Sequence, residues 1–297
     1  VLLFGDMPFY VSRDSADVWS NRKLFSVFDN GNLYLQSGVP PDYFSSTGQL
    51  WGTPTYRWSR HSQTNFKWWR KRFLRHLEQV DILRLDHFRA LKAYWAVPGK
   101  SKTAQCGCWL PSPGLRLLNL LRKDCGGNLP LIAEDLGVIT PDVEDLRDHF
   151  SLPGMKILQF AFDGNSENPY LPENIKGNNW AVYTGTHDNS TTFAWWNELG
   201  QDKRDDISKR FIAPRDSPCW QLIELGVRTE AKIFITTVQD LLSLDDDKRL
   251  NKPGTIEGNW SWRLEGIDAS LLKLLEEYGC LGSKYRRYFQ DTVKLLD

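Results

Sequence analysis

Six short apolar runs along the chain share one form, because each ends in a polar or acidic residue at its C-terminal edge. Short apolar runs bounded by polar positions are typical of buried β-strands. The pattern therefore predicts six strands, each with a polar side chain at its carboxyl end. The runs are V-L-L-F-G-D (1–6), D-I-L-R-L-D (81–86), L-P-L-I-A-E-D (129–135), M-K-I-L-Q-F-A-F-D (155–163), N-W-A-V-Y-T-G-T-H-D (179–188) and A-K-I-F-I-T-T-V-Q-D (231–240).

Helix-like segments lie between most of these runs. In the segment 66–79, Trp69, Phe73 and Leu77 recur every four residues and mark one apolar helical face. After the third run, Thr140 is a natural N-cap, with Pro141 at the first helical position. Strands that alternate with helices predict a mostly parallel sheet, either closed into a barrel or doubly wound.

The positions of the acidic residues favour the barrel. A doubly wound nucleotide-binding sheet would need a Gly-rich turn after an early strand, and no G-x-G-x-x-G or Walker pattern occurs. In a (β/α)8 barrel, functional groups at the ends of several strands converge on one axis. We therefore predict an α/β fold of the TIM-barrel type.

The number of candidate strands indicates an incomplete barrel. Six runs against the eight strands of a complete barrel correspond to roughly strands 3 to 8. The chain opens in mid-strand at Val1 and without Met. We expect residues 1–297 to be the C-terminal portion of one catalytic barrel, with the first two strands upstream. Made alone, such a remnant would expose two sheet edges, so we expect it to be marginally stable and inactive.

The segment 12–65 has few regular periods and is rich in Gly, Pro and aromatic residues. Long connections of this kind in a barrel are usually functional. We predict an inserted loop or subdomain here.

Composition narrows the class of ligand. The chain has 37 Lys and Arg residues against 37 Asp and Glu residues, so no net charge attracts nucleic acid or an anionic membrane. It also has 13 Trp, 15 Phe and 10 Tyr residues. Some of these rings form the core, and others can stack on the C–H face of a sugar. An uncharged sugar fits this composition better than a nucleobase.

The five cysteines do not indicate a disulfide framework. They form an odd set without a C-x-x-C pair, which favours a reducing compartment. Cys106 and Cys108 have no second pair or nearby His to complete a zinc site, so we predict no metal and no cofactor. No apolar run is long enough for a membrane span, and no signal-peptide pattern occurs.

Three strand ends have carboxylates that could act together: Asp86, Glu134 and Asp188. Cleavage of an acetal between sugars needs an acid for the leaving oxygen and a carboxylate for the oxocarbenium-like carbon. Arg84, on the same strand face as Asp86, would keep that residue ionised. The apolar L-I-A before Glu134 would raise its pKa and suit it as the acid. His187 would supply a hydrogen-bond donor beside Asp188. A simpler alternative is that each acid only caps a helix or pairs with an Arg.

Six motifs give the chain a specific resemblance. It resembles the 4-α-glucanotransferases of glycoside hydrolase family 77, known as amylomaltases or disproportionating enzymes, which are relatives of the α-amylases. The match spans nearly the whole chain in the family's order. The motifs are G-D-M-P-F-Y-V (5–11), G-V-P-P-D-Y-F-S-S-T-G-Q-L-W-G (38–52), R-L-D-H-F-R (84–89), A-E-D-L-G-V-I-T-P (133–141), T-G-T-H-D-N (184–189) and P-G-T-I-E-G-N-W-S-W-R (253–263).

The resemblance implies a barrel of the α-amylase kind and a role for each matched residue. Asp86 would be the nucleophile, Glu134 the acid and base, and Asp188 the group that binds and distorts the reacting sugar. The implied activity is retaining transfer of α-1,4-glucan segments between maltooligosaccharide or starch chains. Further implied substrate-binding residues are Asp6, Arg84, His87, His187 and Asn259 around the sugar, and Asp42, Tyr43, Phe44, Gln49 and Trp51 on the acceptor side.

Other functions stay open at this point. A retaining α-glucan hydrolase would use the same three carboxylates, and only the aromatic loop 38–52 favours transfer. A metal-dependent hydrolase could use Asp86, His87, His187 and Asp188, and a glucan-binding relative without activity is a further alternative. We expect α-glucans as donor and acceptor, neither nucleic acid nor membrane as a partner, and a cytoplasmic location, or the plastid stroma in a plant or alga.

Overall fold

A computed structural model describes residues 1–41, 45–211, 217–255 and 257–287. The residues up to Gly154 form one compact unit, and those from Met155 onward form a second. In the described residues, the strands are Phe4–Met7 (β1), Leu35–Val39 (β2), Gln49–Pro54 (β3), Ile82–Leu85 (β4), Ala93–Pro98 (β5), Cys108–Pro111 (β6), Leu131–Ala133 (β7), Gly154–Ile157 (β8), Trp180–Tyr183 (β9) and Ile233–Ile235 (β10).

Helices separate most of the parallel strands, as the sequence predicted. Among the described ranges, none of them has the length and apolar character needed to cross a bilayer. The α-helices are Ala16–Ser20 (α1), Trp58–Gln63 (α2), Lys67–Leu77 (α3), Gly114–Asp124 (α4), Pro141–His149 (α5), Thr192–Glu198 (α6), Gln201–Ser208 (α7), Pro218–Val227 (α8), Val238–Leu241 (α9) and Ala269–Lys284 (α10). Short 3-10 helices cover Arg22–Leu24, Phe88–Leu91, Leu158–Phe160, Pro172–Asn174 and Asp246–Lys248.

All six apolar runs form strands, so this prediction is confirmed. In the first unit, β4 lies between β1 and β7 and pairs in parallel with both. A second three-stranded sheet has the order β10-β9-β8, with β9 and β10 parallel. Strands β4 and β7 are buried along their whole length, as is typical of parallel strands covered on both faces. The fold is therefore mixed α/β with parallel sheets.

The predicted helix over 66–79 is confirmed as α3. Trp69 and Phe73 are almost fully buried, in the same core cluster as Leu83 of β4 and Leu131 of β7. Thr140 is the N-cap of α5 and Pro141 is its first residue. The Thr140 hydroxyl donates to Asp142 Oδ1 at 2.6 Å and makes no capping bond to the backbone.

The segment 12–65 has more regular structure than its composition indicated. Strands β2 and β3 lie here and join β5 and β6 in a four-stranded antiparallel sheet of order β3-β2-β5-β6. Gly38 allows β2 and β3 to approach closely, since a Cβ there would lie 2.2 Å from Gln49 O. Gln49 and Trp51, which were predicted on the acceptor side, are residues of β3 and are therefore held in this sheet of the first unit.

Candidate active site

Arg84 joins two carboxylates at the carboxyl ends of neighbouring strands. In the parallel pairing of β1 with β4, Asp6 lies opposite Arg84. Arg84 Nη1 donates to Asp6 Oδ1 at 2.7 Å and Oδ2 at 2.8 Å, and Nη2 lies 2.9 Å from Asp86 Oδ1. The Arg84 side chain is 8% exposed, whereas the side chains of Asp6 and Asp86 are 43% and 42% exposed. A buried cation thus holds two carboxylates that face solvent.

The charge of Arg84 is secured by its neighbours. Burial lowers the pKa of Arg84, but attraction to Asp86, Asp6 and Glu134 outweighs burial, so the net change is upward. The guanidinium therefore stays protonated. Its positive charge stabilises negative charge on Asp86 through the ion pair, as expected from the R-L-D sequence.

Glu134 lies one residue beyond β7, and two backbone groups hold its carboxyl group. The His87 N–H donates to Oε2 at 2.6 Å, and the Leu136 N–H donates to Oε1 at 3.1 Å. The backbone of the two loops is joined as well, since the Phe88 N–H donates to Glu134 O at 3.0 Å. The residues after β4 therefore position the acid that follows β7.

The protonation of Glu134 differs from that of an ordinary carboxyl group. Burial, and then the negative charge of Asp86, raise the pKa of Glu134 to about 8, while Arg84 and the two backbone donors oppose the rise. At neutral pH Glu134 therefore retains its proton. The upward direction is the one that the apolar residues before Glu134 predicted. A carboxylate held by Arg84 and a carboxylic acid at Glu134 occur in the same unit.

His87 turns the chain sharply after Asp86. Its φ of 50° and ψ of 49° are left-handed, which costs a non-glycine residue about 1–2 kcal/mol. This conformation accompanies the backbone bond from His87 to Glu134. Burial, with a smaller contribution from Arg89, lowers the pKa of His87 to about 3, so the ring is neutral. Its Nε2 is shielded from solvent and has no hydrogen-bond partner among the described residues.

Two aromatic rings pack against His87. The Trp51 ring lies edge-to-face at a centroid distance of 4.8 Å, and the Tyr10 ring lies at 6.1 Å. Trp51 is 37% exposed, and its Nε1 donates to Gln49 Oε1 at 3.3 Å. Trp51 therefore packs against His87 while its side chain stays partly exposed to solvent. The neighbouring predicted residues Asp42, Tyr43 and Phe44 lie outside the described residues.

Asp188 and His187 belong to the second unit, in the loop after β9. His187 Nε2 lies 3.4 Å from Asp188 Oδ1, and the Asp188 side chain is 42% exposed. The Trp260 ring lies 5.1 Å from the His187 ring. Asp188 thus presents a partly exposed carboxylate, with an imidazole and an exposed indole beside it.

Asn259, predicted to bind sugar, takes part in a loop of its own unit. Its Oδ1 accepts from the Lys252 N–H at 2.9 Å, and its Nδ2 donates to Thr255 O at 3.0 Å. These bonds link Asn259 to Lys252 and Thr255 and use both the oxygen and the nitrogen of the amide. Its contact with a sugar stays a prediction.

Several residues that shape the site had no assigned role in the sequence prediction. Tyr10 was part of a quoted motif, and Asp240 ended the sixth apolar run, but neither pattern showed what they contact. The N–H groups of His87 and Leu136 that bind Glu134 belong to the backbone, so the residue types at these positions could not predict them. In the described ranges, no group of three or more His, Cys, Asp or Glu side chains is suited to a metal ion.

The family model and the curated relatives that match this chain are all described as 4-alpha-glucanotransferases. Residues 1–269 match the family model described as 4-alpha-glucanotransferase. The chain is 49% identical to a 4-alpha-glucanotransferase of Synechocystis sp. over 265 residues, which cover 89% of this chain and 52% of that protein. It is 43% identical to a 4-alpha-glucanotransferase of Thermus thermophilus, covering 89% of this chain and 54% of that protein. The chain spans about half the length of these curated relatives.

A solved structure is similar to the whole described fold. The amylomaltase from Streptococcus agalactiae in complex with acarbose superposes with a TM-score of 0.91 at 34% sequence identity. The match covers 97% of this chain and 58% of that chain. At this identity, the likeness concerns both fold and sequence.

Proposed function

The chain belongs to the 4-alpha-glucanotransferase family, glycoside hydrolase family 77, and from this we propose that the protein transfers α-1,4-glucan segments between maltooligosaccharide or starch chains. The transfer is a retaining double displacement through a covalent glucosyl-aspartate. The contrast between Asp86, held by Arg84, and Glu134, whose pKa is raised, is the observation that supports it most directly.

In the first step, an oxygen of the Asp86 carboxylate attacks the anomeric carbon of the donor glucan. The bond to the leaving 4-oxygen breaks, and Glu134 transfers its proton to that oxygen. The product is a β-linked glucosyl ester of Asp86 and a released glucan with a free 4-hydroxyl. Glu134 then carries the negative charge that Asp86 has lost.

In the second step, the 4-hydroxyl of an acceptor glucan attacks the anomeric carbon. Glu134 takes the proton of that hydroxyl, and the ester bond to Asp86 breaks. Two inversions restore the α-configuration, and both carboxyl groups return to their initial state. Asp188 and His187 bind hydroxyls of the reacting sugar in this proposal, and Asp6, His87 and Asn259 are further sugar ligands.

We also propose that β1, β4, β7, β8, β9 and β10 correspond to strands 3 to 8 of a (β/α)8 barrel of the α-amylase kind. The likeness to the amylomaltase from Streptococcus agalactiae supports this assignment. Asp6, Asp86 and Glu134 each lie at or just beyond the carboxyl end of a strand, where barrel enzymes place their chemistry.

Product analysis on maltotriose tests the proposed reaction. Transfer by the full-length protein is expected to yield glucose and a ladder of longer maltooligosaccharides, because glucose leaves when the remaining maltosyl group is passed from the enzyme to another sugar. A hydrolase would yield only shorter products. Absence of both product patterns would contradict the proposal, and shorter products alone would assign the hydrolytic alternative.

Trp51 is expected to favour a sugar over water as the acceptor. Its ring packs against His87 and leaves an exposed aromatic surface on which an incoming glucan can stack. We predict that Trp51→Ala raises the ratio of hydrolysis to transfer by about 2- to 10-fold, the equivalent of one lost aromatic contact. The measurement is the ratio of reducing ends formed to glucosyl groups transferred.

Trp19→Ala is the matched control for this substitution. Trp19 is 76% exposed in α1 and has none of the ring contacts that Trp51 makes within the described residues. The ratio is expected to be unchanged in Trp19→Ala. An equal change in both variants would contradict the role of Trp51.

A further inference from the structure

Asp188 is held through one carboxylate oxygen. Asn251 Nδ2 donates to Asp188 Oδ1 at 2.6 Å, and His187 Nε2 lies 3.4 Å from the same oxygen. Within the described residues, the second oxygen, Oδ2, has no hydrogen bond or ion pair to the protein. Since the side chain is 42% exposed, one oxygen is bound by the protein and the other is open to a ligand.

Asn251 is itself fixed in place by the backbone. Its N–H donates to His187 O at 3.1 Å, so the residue binds the Asp188 loop through both main chain and side chain. Arg249 Nε donates to Asn251 O at 2.7 Å, and Arg249 Nη2 donates to Asp188 O. Arg249 Nη1 also donates to Ser190 Oγ at 3.1 Å. The guanidinium thus connects the segment after α9 to the loop after β9 at two points, Asp188 and Ser190, and binds Asn251 within its own segment.

The base of the same loop is anchored by a buried carboxylate. Asp240 is 2% exposed and accepts from the Thr184 hydroxyl at 2.6 Å, the Thr192 hydroxyl at 2.8 Å and the Thr192 N–H at 2.8 Å. These two threonines flank the loop on either side. The loop that presents Asp188 is therefore held at both ends and at its centre by residues 240–251.

We propose that Asn251 is a positioning residue that orients the Asp188 carboxylate, so that Oδ1 is bound to the protein and Oδ2 accepts a hydrogen bond from a hydroxyl of the reacting glucosyl unit. The inference rests on the proposed function for the identity of that sugar. An amide suits this task, because it donates to a carboxylate without adding a charge that would compete with the sugar.

The test compares Asn251→Leu with the parent enzyme, both in the full-length protein. Leu has a similar shape but no donor, so the Asp188 carboxylate loses its anchor. We expect kcat for maltotriose disproportionation to fall by about 10- to 100-fold, the range expected for loss of a hydrogen bond to a charged group. The change in KM is expected to be much smaller, because orientation matters most where the sugar is distorted in the transition state.

Asn174→Leu is the matched control. The Asn174 amide, also in the second unit, donates to Ser166 O at 2.8 Å and Asn168 O at 2.9 Å, so it too ties a loop together. Thermal unfolding measures the structural cost of both variants. If Asn174→Leu lowers kcat as much as Asn251→Leu at a similar melting temperature, the positioning role is wrong.

A double-mutant cycle with Asp188→Asn provides the second readout. If Asn251 acts through Asp188, adding Asn251→Leu to Asp188→Asn is expected to cause little further loss of kcat. Independent, multiplicative losses would overturn the inference. A crystal structure of Asn251→Leu gives a readout without activity, and there we expect the Asp188 carboxylate to rotate. An unchanged Asp188 would contradict the positioning role even if the parent enzyme proved inactive, whereas inactivity of the parent alone would count only against the proposed function.

Discussion

Asp86→Asn is expected to lower kcat for glucan transfer by about 10⁴-fold or more, because the amide cannot form the covalent intermediate. Asp86 combines the features that a nucleophilic carboxylate needs. Arg84 Nη2 lies 2.9 Å from Asp86 Oδ1, and the Asp86 side chain is 42% exposed. The neutral Asn keeps the shape of the side chain but gives up both the charge and the nucleophilic oxygen.

Trapping identifies the nucleophile directly. Incubation of the full-length enzyme with a 5-fluoro glucosyl donor should label the peptide containing Asp86, because the fluorine slows hydrolysis of the ester. Asp81→Asn is the control, since Asp81 begins the same apolar run, is exposed and accepts a structural bond from the Leu3 N–H at 2.7 Å. That variant is expected to keep its activity and its label. A label on another carboxylate would overturn the assignment of Asp86.

Glu134→Gln is expected to lower kcat by about 10²- to 10⁴-fold, the usual contribution of a general acid and base. Gln has no proton to give to the leaving oxygen and cannot accept one from the acceptor hydroxyl. A donor with a good leaving group needs no acid in the first step, so the glucosyl-enzyme should still form in this variant. Rapid burst labelling followed by slow turnover is therefore the expected signature.

The pH dependence of the parent enzyme follows from the pKa of Glu134, which is about 8. The general acid must be protonated, so kcat/KM is expected to fall as pH rises through about 8. Glu144→Gln, on the exposed face of α5, should keep this basic limb. A basic limb that persists in Glu134→Gln would show that another group titrates there.

The same shift affects stability in a defined direction. An unfolded Glu has a pKa of about 4.3, and the folded pKa is higher, so the protonated form is favoured by folding. Its contribution to stability is present in full below about pH 4 and is lost as pH rises to about 8. The amide side chain introduced by Glu134→Gln stays neutral at every pH in this interval. The melting temperature of Glu134→Gln, relative to that of the parent, should therefore rise as pH increases from about 4 to about 8.

The antiparallel sheet of the first unit was the largest feature that pattern reasoning missed. Strand β2 contains Gln36 and Ser37, which are 4% and 0% exposed, so its buried positions do not read as apolar. Gln36 Nε2 is satisfied by the carbonyl oxygens of Pro98, Gly99 and Ser101, all more than sixty residues away. A strand whose buried side chains are polar depends on partners that no local window contains.

The sequence by itself determined the six strands that the apolar runs form, the amphipathic helix α3, and the residue types at the strand ends. These features are local, because burial on a sheet or helix imposes a short period on the chain. The tertiary structure alone decided what those residues do to one another. Three hydrogen bonds of the candidate site join residues that lie far apart in the sequence. The sequence separation is 78 residues between Arg84 and Asp6, 47 between His87 and Glu134, and 63 between Asn251 and Asp188. Protonation and orientation depend on burial and on charges within a few ångströms, and only the folded chain brings such distant residues together.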